Sequence, residues 1–253
     1  TDWHSPSVQL LGAGDAAVGE ALDRIAHAEG IVRRGLVLAL LTSLKQICNH
    51  PAHYLDDGSA LDGRSAKLEA FDDLIDSASE ARSDDRSEPT LVFTQYVVMA
   101  KLLASHLSER GISHAILHGS LSPTERQRLT DEFQAGHIDV LVCSLRAAGT
   151  GLTLTRATQV IHYDRWWNPA VEDQATDRAH RIGQTATVSV HRLISEGTLE
   201  ERVAEVLGQK RQLAGAVMGT GVDGWIGGLN DGELGELLRR QRPGGAASSE
   251  DAA

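Results

Sequence analysis

Cysteine is nearly absent from this 253-residue chain: only Cys48 and Cys143 occur, far apart and in no paired-ligand spacing. That excludes a disulfide framework and fits a reducing, cytoplasmic compartment. No apolar run reaches the roughly 18 residues that a membrane span needs. The N-terminus also lacks the charged-then-apolar order of a signal peptide, so no membrane partner is expected. Basic residues are in deficit, 24 Lys and Arg against 35 Asp and Glu, for a formal net charge of −11. A free-standing nonspecific nucleic-acid binder needs clustered cations to displace counterions. The balance argues against that class for the whole chain and leaves room for a local basic stripe. The chain starts at Thr1 rather than Met and reads as an excised piece of something longer.

What is present is an ordinary globular composition, 41% apolar and long enough for a core without staples. Residues 16–48 repeat apolar side chains at helical period, with Gly30 and Gly35 as expected interruptions and Pro51 as a stop. Residues 50–88 hold eleven acids and four bases, a net −7 best read as a solvated face, and include an amphipathic helix over 67–81. After Pro89 short apolar runs (90–94, 114–118, 140–143, 159–163 and 187–193) alternate with helical segments over 96–110, 123–134 and 169–180. Such alternation predicts an α/β fold, a parallel sheet flanked by helices, with ligands at the carboxyl ends of the strands. Further helices are predicted over 198–214 and 233–241, and a disordered tail from Pro243.

Two places carry candidate chemistry. The run 140–143 breaks into Gly149-Thr150-Gly151, where glycines let backbone N–H groups approach an anion closely. By itself such a turn is more often only a turn. Second, Asn168-Pro169 starts a helix well. At about 100° per residue, Gln174, Arg178 and Arg181 share one face of it, beside an apolar stripe of Val171, Ala175, Ala179 and Ile182. Rigid guanidiniums suit charge developing on a transferred phosphoryl group. The bland alternative is surface pairing with Glu172, Asp173 or Asp177.

The run from Asp164 to Gln184, DRWWNPAVEDQATDRAHRIGQ, resembles the fifth-and-sixth-motif block of the Swi/Snf-type ATPases, translocases of helicase superfamily two. Leu44–Pro51, Lys67–Glu69, Leu91–Tyr96, His118–Ser120, Arg126–Phe133, Ser144–Leu152 and the stretch from Trp225 to Leu238 agree in order. The resemblance implies a RecA-like lobe over 67–207, after a helical insertion or linker over 1–66. A C-terminal helical extension over 208–242 and a tail over 243–253 follow. A bacterial source fits the Ala-, Gly- and Arg-rich composition.

It further implies that this is the second of two lobes, because the chain has no G-x-x-x-x-G-K-[ST] loop and no acidic magnesium motif after an apolar strand. ATP with magnesium would then be bound mainly by the missing first lobe, and the fragment alone would be inactive. On this resemblance Arg178 and Arg181 are arginine fingers with Gln174 beside them, and Gly149, Thr150, Gly151 and Asp177 lie toward the nucleotide. Thr94, Gln95, His118, Gly119, Ser120, Arg146, Thr150 and Trp166 lie toward DNA. The implied partners are the first lobe, double-stranded DNA and a DNA-bound protein such as RNA polymerase or a repair factor.

No metal site is expected at Cys48, His50 and His53, since structural zinc wants four ligands. Of Trp166 and Trp167, one is expected under the motif helix and the other near the DNA backbone. Cys143 is expected as buried filler. The competing readings are a non-catalytic DNA- or protein-binding module with degenerate motor motifs, and a strand-separating helicase of the same superfamily. From Asp139 to Arg192 six arginines face five acids, so this stretch escapes the acidity of the whole.

Overall fold

Five short strands, β1 (Thr90–Thr94), β2 (His114–Leu117), β3 (Val140–Ser144), β4 (Gln159–His162) and β5 (Ser189–Arg192), form one sheet in the order β2-β3-β1-β4-β5. Every pairing is parallel. The computed structural model describes residues 18–80, 88–144, 152–181, 184, 186–205 and 229–238. The helices among them are α1 (18–26), α2 (Gly30–Asn49), α3 (Pro51–Leu55), α4 (Ala66–Glu80), α5 (Val97–Glu109), α6 (Pro123–Ala135), α7 (Pro169–Thr176), α8 (199–205) and α9 (Asp231–Leu238). Among the described residues no helix is long and apolar enough to cross a membrane.

Both faces of the sheet are covered, which is why β1 and β3 are buried at all five positions each. The two-residue period of a strand divides their side chains. Leu91, Phe93, Leu141, Cys143 and Val160 pack on one face with Leu129 and Phe133 of α6 and Ala175 and Ala179. Val92, Val142 and Ile161 pack on the other with Leu68, Phe71 and Ile75 of α4 and Met99, Leu103 and Leu107 of α5.

A third apolar cluster lies outside the sheet. Ile25 of α1 and Val37, Leu40 and Leu41 of α2 pack with Leu199 and Val203 of α8 and with Leu229, Leu234 and Leu237 beside and within α9. The two ends of the described chain are stitched there: Arg33 donates to Leu229 O at 2.6 Å and pairs with Asp231 at 2.7 Å. The N-terminal helices α1 and α2 are thus packed against the C-terminal end of the described chain. Gly30 does break the N-terminal helical run, at φ +55, but α2 continues through Gly35. Burial of Val37, Leu40 and Leu41 outweighs the roughly 1 kcal/mol cost of a helical glycine. The acidic stretch is only partly a free face: Asp72 meets both His106 and Arg110, and Asp76 also meets Arg110.

Candidate functional site

The carboxyl ends of the strands lie level, since Thr94 is opposite Ser144, Phe93 is opposite both Cys143 and His162, and Leu117 is opposite Cys143. Gln95 therefore shares one edge with His118, Gly119 and Ser120 after β2 and with Asp164 and Arg165 after β4. Gly119 and Ser120 are exposed, and the Ser120 hydroxyl meets His118 Nδ1 at 2.7 Å. Arg126, from the first turn of α6, holds the same turn through Leu121 O at 3.0 Å. Arg146, Gly149, Thr150 and Gly151 lie outside the described residues.

Behind this edge is a buried polar cluster. Asp164, fully buried, accepts hydrogen bonds from the Thr94 hydroxyl, from Gln95 N at 3.1 Å and from Asn49 Nδ2 at 3.3 Å. Lys45 donates to the carbonyl of Arg165, which also accepts from Gln95 Nε2 at 2.6 Å. Lys67 pairs with Glu200 at 2.5 Å and reaches Asn49 Oδ1 at 3.2 Å. Burial pulls the Lys45 pKa down and pushes that of Asp164 up, each partly countered by the other's charge. Thr94 is thus turned inward rather than toward solvent. The segments 44–51, 67–69, 91–96 and 164–169 meet because their polar groups satisfy one another, as buried polar groups must.

Neither tryptophan stands free near the edge. Trp166 packs against the sheet cluster, and its backbone N–H donates to Glu172 Oε1 at 2.7 Å. Trp167 packs against the third cluster with Lys45 Nζ at 4.6 Å from its ring centre. Both rings are partly buried, Trp166 against the sheet and Trp167 beside α2. Burial raises the pKa of Glu172, but the Arg165 guanidinium at 2.8 Å and the Trp166 N–H bring it below the usual carboxylate range. Arg192 lies at 3.5 Å on the other oxygen. Glu172, one of the acids that could have neutralised Arg178, is thereby engaged elsewhere.

Asn168 caps α7 as its sequence indicates, its Oδ1 accepting from Ala170 N at 3.0 Å. The helix ends at Thr176, however, four residues before the expected His180. The Arg178 carbonyl accepts from Leu154 N at 3.0 Å, so a tertiary bond takes the place of a helical one. Arg178 and Arg181 therefore project from a turn, not from a regular helix face. The turn still gathers the expected side chains: Gln174, Asp177, Arg178, His180 and Arg181 line an open pocket of about 500 Å³.

Arg178 is 5% exposed, and its Nε has no hydrogen-bond partner among the described residues. Burial, and secondarily the charge of Arg181, lowers its pKa. No ion pair joins it to a carboxylate among the described residues. Arg181 donates to Thr153 Oγ1 at 3.3 Å. A half-buried pair of guanidiniums with an unsatisfied donor fits an incoming anion such as a phosphate chain.

Cys48, His50 and His53 do not converge as ligands. His50 caps α3 through Nδ1 at 3.0 Å and meets Leu61 O at 2.9 Å. His53 lies edge-on to Tyr96. Among the described residues no His, Cys, Asp and Glu group could hold a metal. The reading of residue types missed Lys45, Asp164, Glu172 and Gln184 as organising groups. The only signal for them was that they sit inside the motif blocks.

The family described as "Helicase conserved C-terminal domain" matches residues 66–183, the stretch that holds β1 to β4 and the arginine-bearing turn. The Sulfolobus solfataricus SWI2/SNF2 ATPase C-terminal domain superposes with a TM-score of 0.76 at 33% identity, covering 92% of this chain and 94% of that one. The chain belongs to the SWI2/SNF2 ATPase family, as its C-terminal domain. The Sulfolobus solfataricus SWI2/SNF2 ATPase core in complex with dsDNA matches with a TM-score of 0.77 at 37% identity, over 91% of this chain and 47% of that one. YwqA of Bacillus subtilis, whose name describes an ATP-dependent helicase/translocase, is 44% identical over 87% of this chain and 24% of its own length. The mouse SWI/SNF-related regulator of chromatin subfamily A member 1 is 35% identical over 72% of this chain and 18% of its own length. The chain thus spans about a quarter or less of the curated relatives it matches.

Proposed function

We propose that this chain is the second motor lobe of an ATP-dependent double-stranded-DNA translocase that remodels protein–DNA complexes. The observation that carries the reading is the pocket in which Arg178, buried with an unsatisfied Nε, sits beside Arg181. Arg178 and Arg181 stabilise charge on a phosphoryl group presented from a first lobe, with Gln174 and Asp177 as polar neighbours. Gly149, Thr150 and Gly151 approach the same nucleotide, and its magnesium is held by the first lobe. Preplaced positive charge lowers the barrier because it needs no reorganisation during reaction.

Gln95, His118, Gly119, Ser120, Arg146 and Thr150 contact DNA phosphates along the carboxyl edge. Thr94 and Trp166 support that edge through Asp164 and Glu172 rather than by direct contact. Backbone contact of this kind is independent of sequence and weakens steeply with salt. A chain carrying the lobe from 67–207 and its extensions, but only half of each site, turns over no ATP alone.

The test is DNA-stimulated ATP hydrolysis by the full-length protein, with the 253-residue chain as the comparison. Arg178→Ala in the full-length protein should lower turnover by roughly 10³ or more, and the chain alone should show none. Undiminished turnover in Arg178→Ala, or robust hydrolysis by the chain alone, returns the arginines to a structural role and favours a non-catalytic binding module.

A further inference from the structure

We propose that Gln184 is a positioning residue that latches the arginine-bearing turn onto the segment 153–157. The inference rests on the reading of Arg178 and Arg181 given above. Past Thr176 the helix no longer fixes the backbone, so the guanidiniums are only as well placed as the turn itself. Gln184 holds that turn at both ends of its own structure. Its backbone N–H donates to Arg181 O at 2.9 Å. Its side-chain Nε2 donates to Thr155 O and Ala157 O, both at 2.9 Å, and lies 3.4 Å from Ala179 O. Its Oε1 accepts from Ala186 N at 2.9 Å. Three carbonyls on one side and an N–H on the other leave a single orientation for the amide.

The partner segment is itself anchored. Arg156 N donates to Gln134 Oε1 of α6 at 3.0 Å, and the Arg156 guanidinium reaches Phe133 O at 3.0 Å and Ile138 O at 2.7 Å. Leu154 N to Arg178 O, and Arg181 to Thr153, complete a zipper between two otherwise irregular stretches. The segment 153–157 is separated from Gly149-Thr150-Gly151 in sequence by Leu152 alone. The latch therefore ties the arginines to the chain that carries the other half of the proposed nucleotide site. A neutral amide is suited to this, because it donates and accepts at once without adding charge beside two guanidiniums.

Two substitutions in the full-length protein test the latch. Gln184→Met keeps the bulk and removes both hydrogen-bonding functions. It should lower kcat for DNA-stimulated ATP hydrolysis about tenfold or more with KM for ATP within about twofold, since a small misplacement of reacting groups can cost up to about 100-fold. Gln184→Glu sets a carboxylate against three carbonyl oxygens and can donate only when protonated. Its kcat should rise as pH falls from about 8 to about 6, a limb absent from the wild type. In the 253-residue chain, Gln184→Met should speed hydrogen exchange of the Leu154 amide about tenfold while Val92 and Val142 stay protected.

A kcat within twofold of wild type, exchange that accelerates equally at all three amides, or a Gln184→Glu profile parallel to wild type each overturns the latch. If Gln184→Met fails to fold, the Gln184→Glu profile decides. Loss of the Arg178→Ala effect would instead remove the reading on which the latch rests, and the Leu154 exchange would still report on the latch itself.

Discussion

His53 shows how far a single side chain can run against its surroundings. It is 3% exposed, both ring nitrogens lack partners among the described residues, and burial pulls its pKa down to about 4, helped by His50 and Lys67. Its folded pKa lies below the unfolded value of about 6.5. The folded state therefore holds the neutral ring, and the associated stability is present above about pH 6.5 and lost as pH falls toward 4. His162, also brought down to about 4 by burial, acts in the same direction. His106 opposes both: its Asp72 hydrogen bond raises its pKa, so its contribution is complete below about 6.5 and fades as pH rises. His53→Leu should lose about 2 kcal/mol less stability than wild type between pH 7 and 5. Urea unfolding at the two pH values reads this difference, and equal losses would remove His53 from the acid response.

Elements were far more legible than the contacts between them. The expected run 90–94 coincides with β1, the helix expected over 96–110 differs from α5 by one residue at each end, and that over 123–134 differs from α6 by one residue at its C-terminal end. Burial on both faces makes strands continuous apolar runs, and Ser122-Pro123 and Asn168-Pro169 are local start signals that no tertiary contact has to supply. Where tertiary bonds decide, periodicity misleads. The Ala175 and Ala179 stripe carries the helical pattern past Thr176, while the backbone there tightens into turns, Arg178 N to Ala175 O and Ala179 N to Thr176 O, and gives the Arg178 carbonyl to Leu154 N. The inward turn of Thr94 and the role of Asp164 were not legible either, because both depend on groups about 70 residues apart. Asn168→Ala removes only the cap and should lower stability by about 1 kcal/mol. A denaturation midpoint equal to wild type would show that packing alone holds the start of α7.

At the scale of the molecule, the family match over 66–183 is smaller than the unit that satisfies its own buried charges. Lys67 lies inside that span and its partner Glu200 outside it; Asp164 lies inside, and Lys45 and Asn49 outside. Cutting at those bounds leaves buried ions without partners, a change worth about 3 to 5 kcal/mol for each broken pair. It also removes β5. A fragment of residues 66–183 should therefore give no cooperative thermal transition under conditions where the 253-residue chain does. A sharp melt within a few degrees of the longer chain would show that the third cluster and the charges around it are dispensable.

The two cysteines gain a use from the same arrangement. Burial pushes both thiols up to about 12, Cys143 within the sheet and Cys48 near the end of α2, where its carbonyl accepts from Ser195 Oγ at 3.2 Å. Neither offers a thiolate while its surroundings are closed. Each is thus a silent chemical reporter of a different opening. Alkylation of Cys48 marks separation of the terminal helices from the lobe, and alkylation of Cys143 marks parting of the strands.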